Sequence, residues 1–281
     1  MIHTAKQLKD KVRNVSKGDN EVAKALIRIF MMERFLERVS LSKYKNNFIL
    51  KGGMLVASIV GVDMRATMDI DTTVKALPLN EAEAERITTE ICEIQVEDGV
   101  SFRITSITNI MTDFEYPGIR MMLEATLERM RQSIKLDIST DDVITPAAVE
   151  YEYKLMFEDR TISLLTYNTE TLLAEKMQTI VARGIANTRM RDFYDVCGIG
   201  KMNIDKIDYS ILSESFQATC RKRETVFSKE EITDTLSKIM YDVSLAQMWE
   251  QFRKKNFFVG TLQWEDVLSE VLHIANKLIE E

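Results

Sequence analysis

The sequence predicts an α+β protein in two parts: a mixed or antiparallel sheet with flanking helices over residues 1–167, and a helical segment over residues 168–281. Three observations predict it. Apolar and polar residues alternate through much of Ser101 to Thr140, the period of strands with one buried face. Apolar residues recur every three to four positions along Asp19 to Ser40, the period of an amphipathic helix. After Tyr167 the strand pattern stops and helical spacing runs to the end. The change is marked by no repeat, low-complexity tract or proline-rich linker, and the chain has only 3 prolines.

The elements follow in order. Asp19 or Asn20 can cap the first turn of the Asp19–Ser40 helix. Phe48-Ile49-Leu50 is a short apolar strand that ends at Gly52-Gly53, and Met54 to Val60 reads as a helix. Met68 to Val74 is a strand carrying two aspartates. Pro78-Leu79-Asn80 breaks the chain before a second amphipathic helix, Glu81 to Ile94. Phe102, Ile104, Ile107 and Ile110, then Met121, Leu123, Ala125 and Leu127, then Ile134, Leu136 and Ile138 mark strands of an antiparallel sheet. Tyr151 to Phe157 and Thr161 to Tyr167 add two more. Helices are then expected over Thr169–Arg183, Arg189–Ile199, Tyr209–Arg223, Lys229–Met240, Leu245–Lys254 and Thr261–Ile279.

Composition excludes several chemistries. His3 and His273, at the two ends, are the only histidines, so Ser-His-Asp hydrolysis, Cys-His proteolysis and helical zinc proteases drop out. Cys92, Cys197 and Cys220 make neither a disulfide framework nor a zinc motif and fit a reducing cytosol. No apolar run is long enough for a membrane span and the first residues lack an apolar signal region, so a cytoplasmic protein is expected. The net charge of −7 lacks the broad basic footprint of a dedicated nucleic-acid binder, although local clusters such as Arg221-Lys222-Arg223 exist. The chemistry must rest on carboxylates, lysine, arginine and metal.

Asp69 and Asp71 carry the strongest signal. On a strand they share one face, about 6.6 Å apart along the chain. Like charges so placed repel, and a divalent cation between them removes that cost. Magnesium takes one or two protein carboxylates together with substrate phosphates and water. The Gly52-Gly53 turn ahead of them lets backbone N–H groups approach a phosphate with no Cβ in the way. Asp137 alternates with Leu136 and Ile138, as does Lys135, and is a candidate third carboxylate for metal or base. Arg65 is a candidate phosphate clamp, while Thr67 and Lys51 stay ambiguous.

Lys176 falls inside the apolar stripe of its helix, between Leu172, Leu173 and Ile180, and must snorkel or meet an anion. A triphosphate is one such anion, with Arg183 two turns on as a second contact. Asp192 and Asp195 are helical neighbours. Asp192 is a candidate to orient Lys176 or Arg183 or to reach metal-bound water, and Arg189 and Arg191 are candidates for RNA phosphate.

Gly52-Gly53, Arg65-x-Thr67-x-Asp69-Ile70-Asp71, Ala174-Glu175-Lys176 and Arg189-x-Arg191-Asp192-x-Tyr194-Asp195 together resemble the AbiEii-type nucleotidyltransferase toxins, MenT-like enzymes of the DNA polymerase β-like superfamily. The resemblance spans roughly residues 45–200 and is far more specific than any one piece. It implies a bilobed protein, a nucleotidyltransferase lobe followed by a helical lobe. It implies magnesium, an NTP substrate, an RNA acceptor such as a tRNA 3′ end, and a separately encoded antitoxin, in phage defence by abortive infection. By position it assigns Asp69 and Asp71 to metal, Lys176 to nucleotide phosphates and Asp192 to the catalytic set. Asp137 matches the superfamily's third carboxylate. Gly53 departs from the Gly-Ser often seen in the superfamily, which leaves backbone N–H groups to replace a serine hydroxyl. Two other readings stay open: a nucleotidyltransferase that modifies a small molecule or a protein, and an inactive binding module that keeps the fold.

Overall fold

Strands β1 (Phe48–Lys51), β2 (Asp69–Val74), β3 (Val100–Thr112), β4 (Glu115–Leu127), β5 (Met130–Thr140), β6 (Val149–Lys154) and β7 (Thr161–Thr166) form one sheet in the order β3-β4-β5-β2-β1-β7-β6. The computed structural model describes residues 1–61, 67–77, 80–112, 115–203 and 206–280. The chain divides into two compact units, one of residues Met1–Asp142 with Val149–Thr166, the other of Val143–Ala148 with Tyr167–Glu281.

The first unit holds the whole sheet, with α1 (Ala5–Ser16), α2 (Asn20–Leu41), α3 (Gly52–Val60) and α4 (Glu81–Cys92). The sheet is mixed. β3, β4 and β5 run antiparallel to their neighbours in that series, but β2 pairs parallel with β5, and β1 parallel with β7. The alternation in β5 works as the sequence predicts: Ile134, Leu136 and Ile138 are buried while Lys135 and Asp137 stay half-buried on the other face.

Helix α2 departs from the amphipathic expectation. Asp19 caps it, accepting from the N–H groups of Glu21 and Val22. From Ile29 to Val39, however, it is buried on all sides, charged residues included. Those charges are matched in place. Arg38 donates to both carboxylate oxygens of Asp98 at 2.8 and 3.0 Å, and Arg160 reaches Glu37 at 2.6 and 2.9 Å. Arg34 pairs with Glu37 and Glu158. Glu33 accepts from the Met156 N–H, and burial, only partly opposed by the Arg34 charge, pushes its carboxyl up to about 8. α1 was not expected from the sequence. Its apolar stripe is thin, with Leu8 and Val12 as its buried hydrophobic residues. A capping box between Thr4 and Gln7 starts it.

The second unit is helical: α5 (Thr169–Arg183), α6 (Met190–Asn203), α7 (Tyr209–Lys222), α8 (Lys229–Tyr241), α9 (Val243–Lys255) and α10 (Trp264–Glu280). The Thr145 carbonyl accepts from Asn168, Thr171 and Ser215, which ties the 143–148 segment to α5 and α7. Phe193 and Tyr194 of α6 enter an aromatic core with Trp249, Phe258 and Trp264, at ring separations of 5.1–6.4 Å. Among the described residues no helix is long and apolar enough to cross a membrane.

Candidate active site

The strand register assembles a charged row in the first unit. Arg120 of β4, Asp137 of β5, Asp71 of β2 and Lys51 of β1 are successive cross-strand partners. One pleat along, Lys135 of β5 lies opposite Asp69 of β2. Period-two alternation puts all of these on one face. Asp69, Asp71 and Asp137 each offer a carboxylate oxygen, and these oxygens lie within 4.8 Å of one another. The sequence offers all three aspartates as candidates, two of them on β2. The parallel β2–β5 pairing, across some sixty residues of chain, is what brings in the third.

Cations balance the cluster. Arg120 holds Asp137 through two parallel hydrogen bonds, Nε to Oδ1 at 2.8 Å and Nη2 to Oδ2 at 2.9 Å. The Lys135 ammonium lies 2.6 Å from Asp69 Oδ2 and 3.5 Å from Asp137 Oδ2. Burial works to lower its pKa, but the hydrogen bond to Asp69 and the charges of Asp69 and Asp137 outweigh that and hold it raised. The hydrogen bond to Asp137 likewise holds Arg120 raised. Lys51 pairs with Asp142, which also accepts from the Ser139 hydroxyl at 2.7 Å. The Thr67 hydroxyl, buried, sits 3.3 Å from both the carbonyl and Oδ1 of Asp69.

Asp71 is the strained member. Burial, then the charge of Asp69, push its carboxyl up to about 6, against the pull of Lys51; Asp137 adds to the rise and the Gly53 N–H opposes it. That N–H, in the first turn of α3, is 3.4 Å from Asp71 Oδ2. Gly52 has a φ of +63°, and a Cβ there would lie 2.7 Å from Cγ of Asp71. The first glycine is needed twice, for its backbone angle and to leave room for the carboxylate.

Lys176 meets its anion in the second unit. Its ammonium is 3.2 Å from Asp192 Oδ1 and 2.7 Å from Asp195 Oδ2. Arg189 stands against the other oxygen of Asp192 at 2.8 Å, as an ion pair. All three of Lys176, Asp192 and Asp195 are largely shielded, with side-chain exposures of 11, 6 and 0%. Sequence spacing flagged Lys176 and Asp192 and made Asp195 a helical neighbour of Asp192, but gave Asp195 no role. Arg183 is half-buried in the last turn of α5. Arg65 lies outside the described residues. Arg120 and Lys135 were given no role from sequence, because an isolated cation on a strand reads as a solvated face.

All-oxygen donors suit a hard divalent cation. Three carboxylates this close, one of them forced towards its neutral form, fit such an ion.

The family model for the nucleotidyl transferase AbiEii toxin of type IV toxin–antitoxin systems matches residues 34–270. No protein with a curated description matches the chain in sequence. The structure is similar to JHP933 from Helicobacter pylori, at 15% identity and a TM-score of 0.50, covering 91% of this chain and 92% of that one. It also matches a putative nucleotidyltransferase from H. pylori, at 15% identity and a TM-score of 0.49, covering 91 and 95%. The motif spacing, the carboxylate cluster and the family match agree on nucleotidyl transfer. The chain belongs to the AbiEii nucleotidyltransferase toxin family of type IV toxin–antitoxin systems.

Proposed function

We propose that this toxin transfers a nucleotide from an NTP, with magnesium, to the 3′ end of an RNA such as tRNA, as the active arm of an abortive-infection phage defence held in check by its antitoxin. The carboxylate triad of Asp69, Asp71 and Asp137 is the observation that carries the reading. These residues would hold magnesium, which supplies charge neutralisation for the triphosphate and a lower pKa for the attacking hydroxyl.

The protein's own groups account for the rest. Thr67 positions the Asp69 carboxylate, and Arg120 fixes that of Asp137. The N–H groups of Gly52 and Gly53 are the proposed cradle for phosphate, with Arg65 as a cationic contact. Asp192 and Asp195 orient the Lys176 ammonium. The acceleration is then one of positioning and fixed charge, as phosphoryl transfer requires.

An RNA acceptor is favoured over a small molecule by the surface of α1. Lys6, Lys9 and Arg13 of α1 and Arg129 of the β4–β5 turn, outnumbering the acidic Asp10 and Glu128, line an open groove of about 910 Å³ in a chain of net charge −7. Among the described residues none of these four has an ion-pair partner. Unpaired cations along a groove suit a phosphodiester backbone.

Incubation with α-labelled NTPs and total RNA tests the proposal. Label on RNA 3′ ends supports it; label on a small molecule or a protein, with RNA blank, overturns the acceptor.

A further inference from the structure

The triad already carries two cations, and they are held differently. Arg120 grips Asp137 with a planar fork, both bonds under 3 Å. Such a clamp is geometrically fixed. Lys135 makes one short contact, to Asp69 at 2.6 Å, and a loose one, to Asp137 at 3.5 Å. Its side chain is 27% exposed and sits on a flexible four-carbon stem. Its ammonium lies across Asp69 and Asp137, two of the three carboxylates that would hold a metal ion, and it competes for the same oxygen lone pairs.

Charge counting sharpens the point. Among the described residues, three carboxylates against the two cations in contact with them leave one negative charge. A divalent ion entering alone would turn that into an excess of one positive charge. A triphosphate entering with it would more than cancel the excess. Lys135 can leave, and once off Asp69 it has an anion to go to.

We propose that Lys135 is a built-in counter-ion that occupies the carboxylate site in the nucleotide-free protein and is displaced from Asp69 onto phosphate when a divalent cation enters with its nucleotide, so that metal and nucleotide load together rather than metal alone. The inference rests on the metal reading of the triad. Lys135 thus acts on binding order, and Arg120 stays on Asp137 throughout. In the metal-free cluster Lys135 balances charge on Asp69 and Asp137. By linkage, whatever the nucleotide gains from the freed ammonium appears as tighter metal binding.

The experiment titrates Mn²⁺ into the full-length protein by calorimetry, alone and with a saturating non-hydrolysable NTP analogue. Wild type, Lys135→Met, Lys135→Gln and Asp71→Asn are compared, with far-UV circular dichroism as the check on folding. The expected result is weak Mn²⁺ binding by the wild type alone, tightened by the analogue. Both Lys135 variants should bind Mn²⁺ alone about tenfold more tightly than wild type, since a competing charge at contact distance is gone, and should gain less from the analogue. If the folded Lys135 variants bind Mn²⁺ no more tightly than wild type while Asp71→Asn abolishes binding, Lys135 is a bystander and the metal reading stands. If neither wild type nor the Lys135 variants bind Mn²⁺, with or without the analogue, the metal reading fails and this inference with it.

Discussion

The ammonium of Lys135 lies 2.6 Å from Oδ2 of Asp69, its direct partner across the parallel β2–β5 ladder. Strand alternation and register alone bring the two together. The same register puts Asp137 beside Asp71. Two acidic positions on one strand, weak as a motif, become a charged cluster only because β5 is the neighbour.

Gly52→Ala should lose both stability and activity. Its φ of +63° costs a β-carbon about 1 kcal/mol or more, and the methyl would displace the Asp71 carboxylate. Gly18→Ala is the control, because Gly18 has a φ of +90° with nothing within 4 Å of a Cβ. Thermal melts should show both variants destabilised; nucleotide-incorporation assays should show only Gly52→Ala inactive. A fully active Gly52→Ala protein would contradict the placement of Asp71 against the glycine turn.

Glu33 gives a pH signature away from the site. Burial pushes its carboxyl up to about 8, from the ordinary 4.5. Between these values the folded chain holds a proton that the unfolded chain has released. Its contribution to stability is therefore complete below about 4.5, declines as pH rises, and is gone above about 8. Glu33→Gln should track wild type at low pH and gain on it by a few kcal/mol towards pH 8, with no further gain above. Denaturant titrations at several pH values read this out, and a constant difference across the range would refute it.

Much of this architecture was legible in the chain. Strict alternation in β4 and β5, and the three-to-four spacing of α5, left little choice of element. α1 was missed because Leu8 and Val12 give too thin a stripe among lysines. The burial of Glu33, Arg34, Glu37 and Arg38 was missed because their partners Asp98, Met156, Glu158 and Arg160 lie far along the sequence. The site follows the same rule. Asp69, Asp71 and Lys176 announce themselves by local conflict, like charges on one strand face and a lysine in an apolar stripe. Lys135 and Arg120 conflict with nothing locally, and only strand order gives them partners.

Lys176 ties Asp192 to Asp195, so removing it leaves Asp192 to Arg189 and takes the cation at 2.7 Å away from the shielded Asp195. Lys176→Met should therefore cost about 3–5 kcal/mol of stability, in addition to any loss of activity. Lys176→Met combined with Asp195→Asn should recover part of the stability and none of the activity. Urea unfolding of the single and double variants separates the two effects. Full stability in Lys176→Met would remove the ion-pair account.

The α1 groove predicts a salt-sensitive acceptor. Charge reversal at Lys6, Lys9 and Arg13 together should raise the KM for RNA at least tenfold and flatten its dependence on salt. Mn²⁺ affinity should not change. An unaltered RNA KM would exclude this surface.

Parallel reactions with α- and γ-labelled NTP, RNA and magnesium, using wild type and Asp71→Asn, test the central claim most directly. The account expects wild type to place the α label on RNA and the γ label in pyrophosphate. It expects Asp71→Asn to lose transfer by about 10³-fold while melting no lower than wild type, since the substitution removes a buried charge repelled by Asp69. Transfer by Asp71→Asn at the wild-type rate would contradict the account.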